Sequence, residues 1–187
     1  LTKEMHLSHV IILSSNTIFI NRIYNDAKLK VTSKFKKIDH LSREDTFEYL
    51  EYKIRESSLV KEEDFEIIWD YLGGCIPLIQ RLFRDVQEFG GVKECLEYAV
   101  KEARSEVVEL MKRFMDDKQR KIFKDVARQI IEKGCYLTQE DESRDYLEVI
   151  DFVSEREIFF YEPIDQKVVG NNRLYEKAFE KLIYSSS

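Results

Sequence analysis

The stretch Ile158-Phe159-Phe160-Tyr161-Glu162-Pro163-Ile164-Asp165-Gln166-Lys167-Val168-Val169 sets two short apolar runs on either side of a proline-containing turn. Aromatic and β-branched residues bounded by turn formers predict two strands, over 158–161 and 167–169, around Pro163-Ile164-Asp165. Upstream, the helical spacing over 118–133 stops at Gly134. Thr138-Gln139-Glu140-Asp141 then offers an N-terminal cap to acidic helical sequence reaching residue 154. Downstream, Asn171-Asn172 introduces a last helix over 174–183.

Helices followed by a hairpin resemble a winged helix-turn-helix with an extra C-terminal helix. Before it, the chain reads as helices alone. Ser42-Arg43-Glu44-Asp45 has the form of a capping box and opens a helix to about residue 56, with Phe47, Leu50 and Ile54 on its inner face. A second helix over 61–72 stops at Gly73-Gly74. Pro77 sits where a first helical turn tolerates it, and Leu78, Ile79, Leu82, Phe83 and Val86 follow at helical spacing. Gly90-Gly91 breaks the chain again before a long helix over 92–115, and Asp116-Asp117 marks a junction. Phe47, Trp69, Phe83 and Phe114 fall on apolar faces and are expected in the core.

Composition agrees with a mainly α chain. The 187 residues hold only six Gly and two Pro, with 35% charged and 43% hydrophobic residues, which suits long solvated helices around a real core. The net charge of −6 argues against a uniformly basic nucleic-acid binder. No apolar run approaches a membrane span, and 10–13 is too short for a signal peptide. Cys75, Cys95 and Cys135 show no C-x-x-C spacing, so buried free thiols and a cytoplasmic setting are expected. His6 and His9 lack a third ligand nearby, and no metal site is expected.

The beginning is unlike the rest. His9-Val10-Ile11-Ile12-Leu13-Ser14-Ser15-Asn16 reads as a parallel-type strand buried on both faces and closed by small polar residues. A short amphipathic helix over 16–26 follows, and 34–38 offers one more short strand. Parallel strands need neighbours, and nothing comparable comes before Ile158. The expectation is a chain that starts inside a domain, with an orphan strand from an α/β core.

Three segments together resemble the C-terminal part of the archaeal ATPases, AAA-plus-like relatives of the signal-transduction ATPases. They are His9-Val10-Ile11-Ile12-Leu13-Ser14-Ser15-Asn16, the basic stretch Lys34-Phe35-Lys36-Lys37-Ile38 leading through Leu41-Ser42-Arg43-Glu44, and Trp69-Asp70-Tyr71-Leu72-Gly73-Gly74 followed by Pro77. The ending Asn172-Arg173-Leu174-Tyr175 also suits that family's winged helix. The resemblance implies the end of a P-loop core over 1–40, a helical lid domain over 41–115 and a winged-helix domain over 116–187.

It also implies site residues. Ser15 or Asn16 would occupy the sensor-one position, where a polar side chain reaches the γ-phosphate or its attacking water. Capping of the next helix explains either residue equally well. Gly73, Gly74 and Pro77 resemble the lid turn that packs near adenine, although here the spacing is one residue longer. A helix cap followed by a helix start also explains all three.

No G-x-x-x-x-G-K-[ST] occurs anywhere in the chain. Ile67-Ile68-Trp69-Asp70 has the apolar-then-acid form of a Walker B, but its setting is helical. ATP and magnesium are therefore expected in the complete protein and neither in this chain alone. No residue of the chain is assigned a catalytic role.

The basic run over 22–37 carries six cations against Asp26, a net +5, and reads as a solvated edge or a phosphate-facing one. In contrast, 139–157 carries eight acids against Arg144 and Arg156, a net −6, which sets it against reading DNA bases. A different face, using Lys118, Arg120, Lys121 and Lys124, is the competing surface, one that would lie along the phosphate backbone and bind non-specifically. The leading expectation is a nucleotide-sensing lid and winged-helix segment. Its partners would be an upstream P-loop core and a protein at the winged helix, with a homo-oligomer allowed and no membrane. The alternative is a stand-alone winged-helix DNA-binding regulator.

Overall fold

The computed structural model describes residues 38–55, 59–138 and 143–184. The orphan strand, the 16–26 helix, Ser15, Asn16 and the basic run over 22–37 lie outside the described residues. Of the short strand expected over 34–38, only Ile38 is described. It belongs to no strand and is 81% exposed.

Ser42 starts the first helix, α1 (Arg43–Ile54), with an Oγ that accepts from Asp45 N at 3.1 Å and donates to Asp45 Oδ2 at 2.8 Å. A 3-10 turn, Glu62–Asp64, leads into α2 (Phe65–Leu72). Then come α3 (Ile76–Phe89), with Pro77 in its first turn, and α4 (Val92–Phe114). Their apolar faces meet in a first core that includes Leu50, Ile68, Ile79, Leu96 and Val100, each fully buried. This is the helical cluster the spacing predicts.

Asp116 does more than mark a junction. Its carboxylate accepts from Gln119 N while the Gln119 side chain accepts from Asp116 N, a reciprocal cap that starts α5 (Asp117–Lys133). After Gly134 comes β1 (Tyr136–Leu137), then α6 (Arg144–Ser154), β2 (Phe159–Glu162), β3 (Lys167–Gly170) and α7 (Arg173–Tyr184). The three strands form an antiparallel sheet in the order β1-β3-β2, with Tyr136 opposite Val168 and Phe160 opposite Val169. The hairpin falls where the sequence predicts it.

β1 is an addition, since two residues are too few to carry a period-2 signal. It also changes the role of Thr138, whose N and Oγ both donate to Gln166 O, at 2.9 and 2.8 Å, and tie β1 to the hairpin turn rather than capping α6. Phe114 departs from expectation too. It is 58% exposed, with the Arg156 guanidinium 5.7 Å from its ring centroid.

A second core fills the space between the C-terminal part of α4, α5, α6, α7 and the sheet. Phe123, Phe159 and Phe179 form its centre, with centroids 5.3 to 5.8 Å apart and all three fully buried. α7 serves both cores, because Leu174 and Ala178 pack into the first while Phe179 and Leu182 pack into the second. Tyr175 lies between them, and its hydroxyl donates to Glu106 Oε2 of α4 at 2.9 Å. The last helix therefore joins the helical cluster to the sheet-bearing unit. Among the described residues, no helix is long and apolar enough to cross a membrane.

Candidate functional site

A helix end leaves carbonyls without partners, and at the end of α2 two donors share one of them. Gly73 N donates to Trp69 O at 2.9 Å, and Arg173 Nη1 reaches the same oxygen at 3.3 Å. Gly73 turns the chain with φ 54° and ψ −146°, a conformation that belongs almost entirely to glycine. A Cβ there would stand 3.2 Å from Arg173 Cδ. Gly74 is glycine for a different reason, close backbone approach. A Cβ on it would lie 2.6 Å from Leu41 N and 2.7 Å from Leu41 C, and closer still to the Leu41 carbonyl oxygen. Leu41 N donates to Gly74 O at 3.1 Å, which holds the segment before α1 against the turn.

The other half of the site is the start of α7. Asn172 caps it, its Oδ1 accepting from Tyr175 N at 3.2 Å. A cation at the first position opposes its own helix dipole but suits the C-terminal end of another helix. Arg173 is placed in that second way, with its guanidinium 4.8 Å from the Trp69 ring centroid. One turn on, Lys177 Nζ is 2.9 Å from Asp70 Oδ2 and 5.5 Å from the centroid of Tyr71. His40 Nε2 adds a contact to Asn171 O at 3.3 Å. Each polar contact is partly exposed and contributes little alone. Together they fix the Trp69-Asp70-Tyr71-Leu72-Gly73-Gly74 stretch to the sheet-bearing unit.

Glu176 sits beside this grip with its Cγ against Gly170. Burial raises its carboxyl above the usual carboxylate range, and Arg173 and Lys177 only partly oppose that. A raised carboxyl favours the folded state when protonated, so the fold loses stability as pH rises through the folded value. Glu176→Gln is therefore expected to raise the unfolding midpoint at pH 7. The gain should shrink toward zero as the pH falls below the ordinary glutamate value. Unfolding curves at several pH values check this, and a variant less stable at every pH would contradict it.

Gly73 and Gly74 thus come together with Leu41 and Arg173, and Lys177 holds the neighbouring Asp70. None of these contacts involves Pro77, and Ser15 and Asn16 lie outside the described residues. The two glycines are buried and their open faces are filled by Leu41 main chain and the Arg173 stem, whereas Pro77 is exposed. Among the described residues there is no group of three His, Cys, Asp or Glu able to hold a metal ion. Asp70 is helical and paired to Lys177, not a Walker B acid at a strand end. Sequence reading missed Arg173, Lys177 and Leu41. A cation at the first position of a helix, against its dipole, was the available signal for Arg173.

Residues 1–82 match the family described as "ATPase domain predominantly from Archaea". That match ends inside α3, so it contains the Gly73-Gly74 turn. An uncharacterized ATP-binding protein of Methanocaldococcus jannaschii is 34% identical over 99 residues, covering 52% of this chain and 27% of that protein. Two uncharacterized ATP-binding proteins of Pyrococcus abyssi are 26% and 29% identical, over 98% and 96% of this chain and 50% and 51% of their own lengths. The chain thus spans about half the length of these two relatives. No solved structure matches. In its first 82 residues the chain is similar to an archaeal ATPase domain, and along nearly its whole length to archaeal ATP-binding proteins.

Proposed function

We propose that this chain is the lid and C-terminal segment of an archaeal ATP-binding ATPase, which senses nucleotide in the core and relays it to a protein partner. The observation that carries the reading is the junction at Gly73-Gly74. That turn lies within the stretch matched to the ATPase domain, and α7 of the following unit holds it through Arg173 and Lys177. Movement of the lid would then be transmitted to the sheet-bearing unit through a short, stiff helix.

In this reading Ser15 or Asn16 contacts the γ-phosphate or its attacking water. The Gly73-Gly74 turn responds near the adenine, with the exposed Pro77 ring as the part open to contact. ATP and magnesium bind on the P-loop core, because the 187 residues contain no phosphate-binding loop. The order helix, strand, helix, hairpin with sheet order β1-β3-β2 supports a winged-helix reading of the last unit. Its α6 is poorly suited to base edges. Arg144 is paired to Glu148 within the helix, and Arg156 lies 3.6 Å from the Phe152 centroid while donating to Phe152 O. A protein partner fits this surface better than a duplex.

The pure chain is expected to show no ATP hydrolysis above buffer. Turnover by a preparation free of other ATPases would overturn the reading. The encoding frame upstream of Leu1 is the companion test: a G-x-x-x-x-G-K-[ST] there supports it, and an adjacent stop codon favours the stand-alone DNA-binding regulator.

A further inference from the structure

Beside the sheet, α5 and α6 enclose an open groove of about 490 Å³. Its charges are unevenly used. Of its two carboxylates, Asp145 is ion-paired to Lys118, and Asp125 Oδ2 accepts from Tyr146 Oη and Gln129 Nε2, both at 3.2 Å. Its remaining cations, Lys121, Lys124 and Arg128, are exposed and make no ion pair among the described residues. They follow one face of α5 at i, i+3 and i+7, a span of about 10 Å. The partly buried Tyr146 ring, stacked on Tyr136 at 6.1 Å, supplies apolar surface between the two helices, over the buried Ile122.

We infer that this groove docks an acidic, partly apolar peptide segment of a protein partner, its carboxylates on Lys121, Lys124 and Arg128 and an apolar side chain against Tyr146. The inference rests on the relay reading above and gives its partner a chemistry. Size and charge favour a peptide over a nucleic acid. A helix with side chains is about 10–12 Å across and can lie along one row of cations. A duplex presents one phosphate charge per about 1.7 Å of axis on its two strands together. Set on α5, it would also bring phosphates toward α6, whose Asp145 and Glu148 both act on Lys118.

The test uses the full chain without nucleotide, so its failure leaves nucleotide sensing untouched, and failure of the ATP reading leaves its result intact. A labelled Glu- and Phe-rich peptide is titrated by fluorescence anisotropy at low salt, beside the same peptide with Gln for Glu and a duplex of similar length. Saturable binding is expected for the acidic peptide alone. Lys121→Gln/Lys124→Gln/Arg128→Gln should weaken it about tenfold or more. Lys101→Gln/Arg104→Gln/Lys112→Gln on α4 removes the same charge elsewhere and should change binding less than about twofold. All six side chains are exposed, so unchanged melting is expected for both variants. The inference is overturned by absence of saturable peptide binding, by equal binding of the uncharged peptide, by tighter binding of the duplex, or by equal effects of the two triple variants.

Discussion

Gly74→Ala is expected to destabilise the protein by about 3 kcal/mol, at the upper end of what overpacking costs. The reason is the kind of atom the new methyl meets. Leu41 main chain fills the space, and a backbone cannot swing away as a side-chain tip can. Relief requires moving the segment that carries Ser42, the cap of α1, so loss of that cap adds to the cost. Faster tryptic cleavage at Arg43 should accompany a lower midpoint. Gly73→Ala should also destabilise, by about 1–3 kcal/mol from backbone strain, while displacing the Arg173 stem. A Gly74→Ala protein as stable as the parent would mean that the Leu41 segment does not pack on the turn.

Phe159→Ala is the other large effect. Phe159 is fully buried, stacked on Phe123 at 5.3 Å and set edge-on to Phe179 at 5.6 Å. Removing it takes apolar area out of contact and leaves a cavity that the sheet and two helices cannot close, a loss of about 3–5 kcal/mol. In a chain of this size that lowers the midpoint by about 10 °C. Phe89→Ala is the control, since Phe89 is 74% exposed and should change stability by no more than about 0.5 kcal/mol. Because α7 lends residues to both cores, the loss should appear as one shifted transition. A thermal scan in which Phe159→Ala and Phe89→Ala behave alike would contradict this packing.

The helices and the hairpin were legible because their signals are local. Ser42 caps α1, Gly73 ends α2 and Gly134 ends α5 where the sequence predicts, within a residue or two. β1 was not legible, because its two residues become a strand only through pairing with β3, thirty residues away. Phe114 misled for the same kind of reason. Its helical face is apolar in sequence, but that end of α4 enters the second core through Leu110 and Met111, with Met115 beyond it, and Phe114 lies on the exposed side, its ring 5.7 Å from the Arg156 guanidinium. At the candidate site, Gly73, Gly74 and Pro77 could be singled out as punctuation, and Asp70 as helical. The partners that give the turn its setting are about thirty residues before it and a hundred after it. Leu41 approaches through its backbone and Arg173 through a long flexible stem, and neither leaves a periodic trace.

Coupling of the Gly73-Gly74 turn to α7 is the central claim, and hydrogen exchange on this chain joined to the P-loop core proposed for it tests it most directly. ATP is predicted to change amide protection at 69–74 and at 173–177 together, and Arg173→Ala/Lys177→Ala is predicted to abolish the change at 173–177 while leaving that at 69–74. ATP-dependent protection confined to the core, with both segments unaltered, would contradict the account.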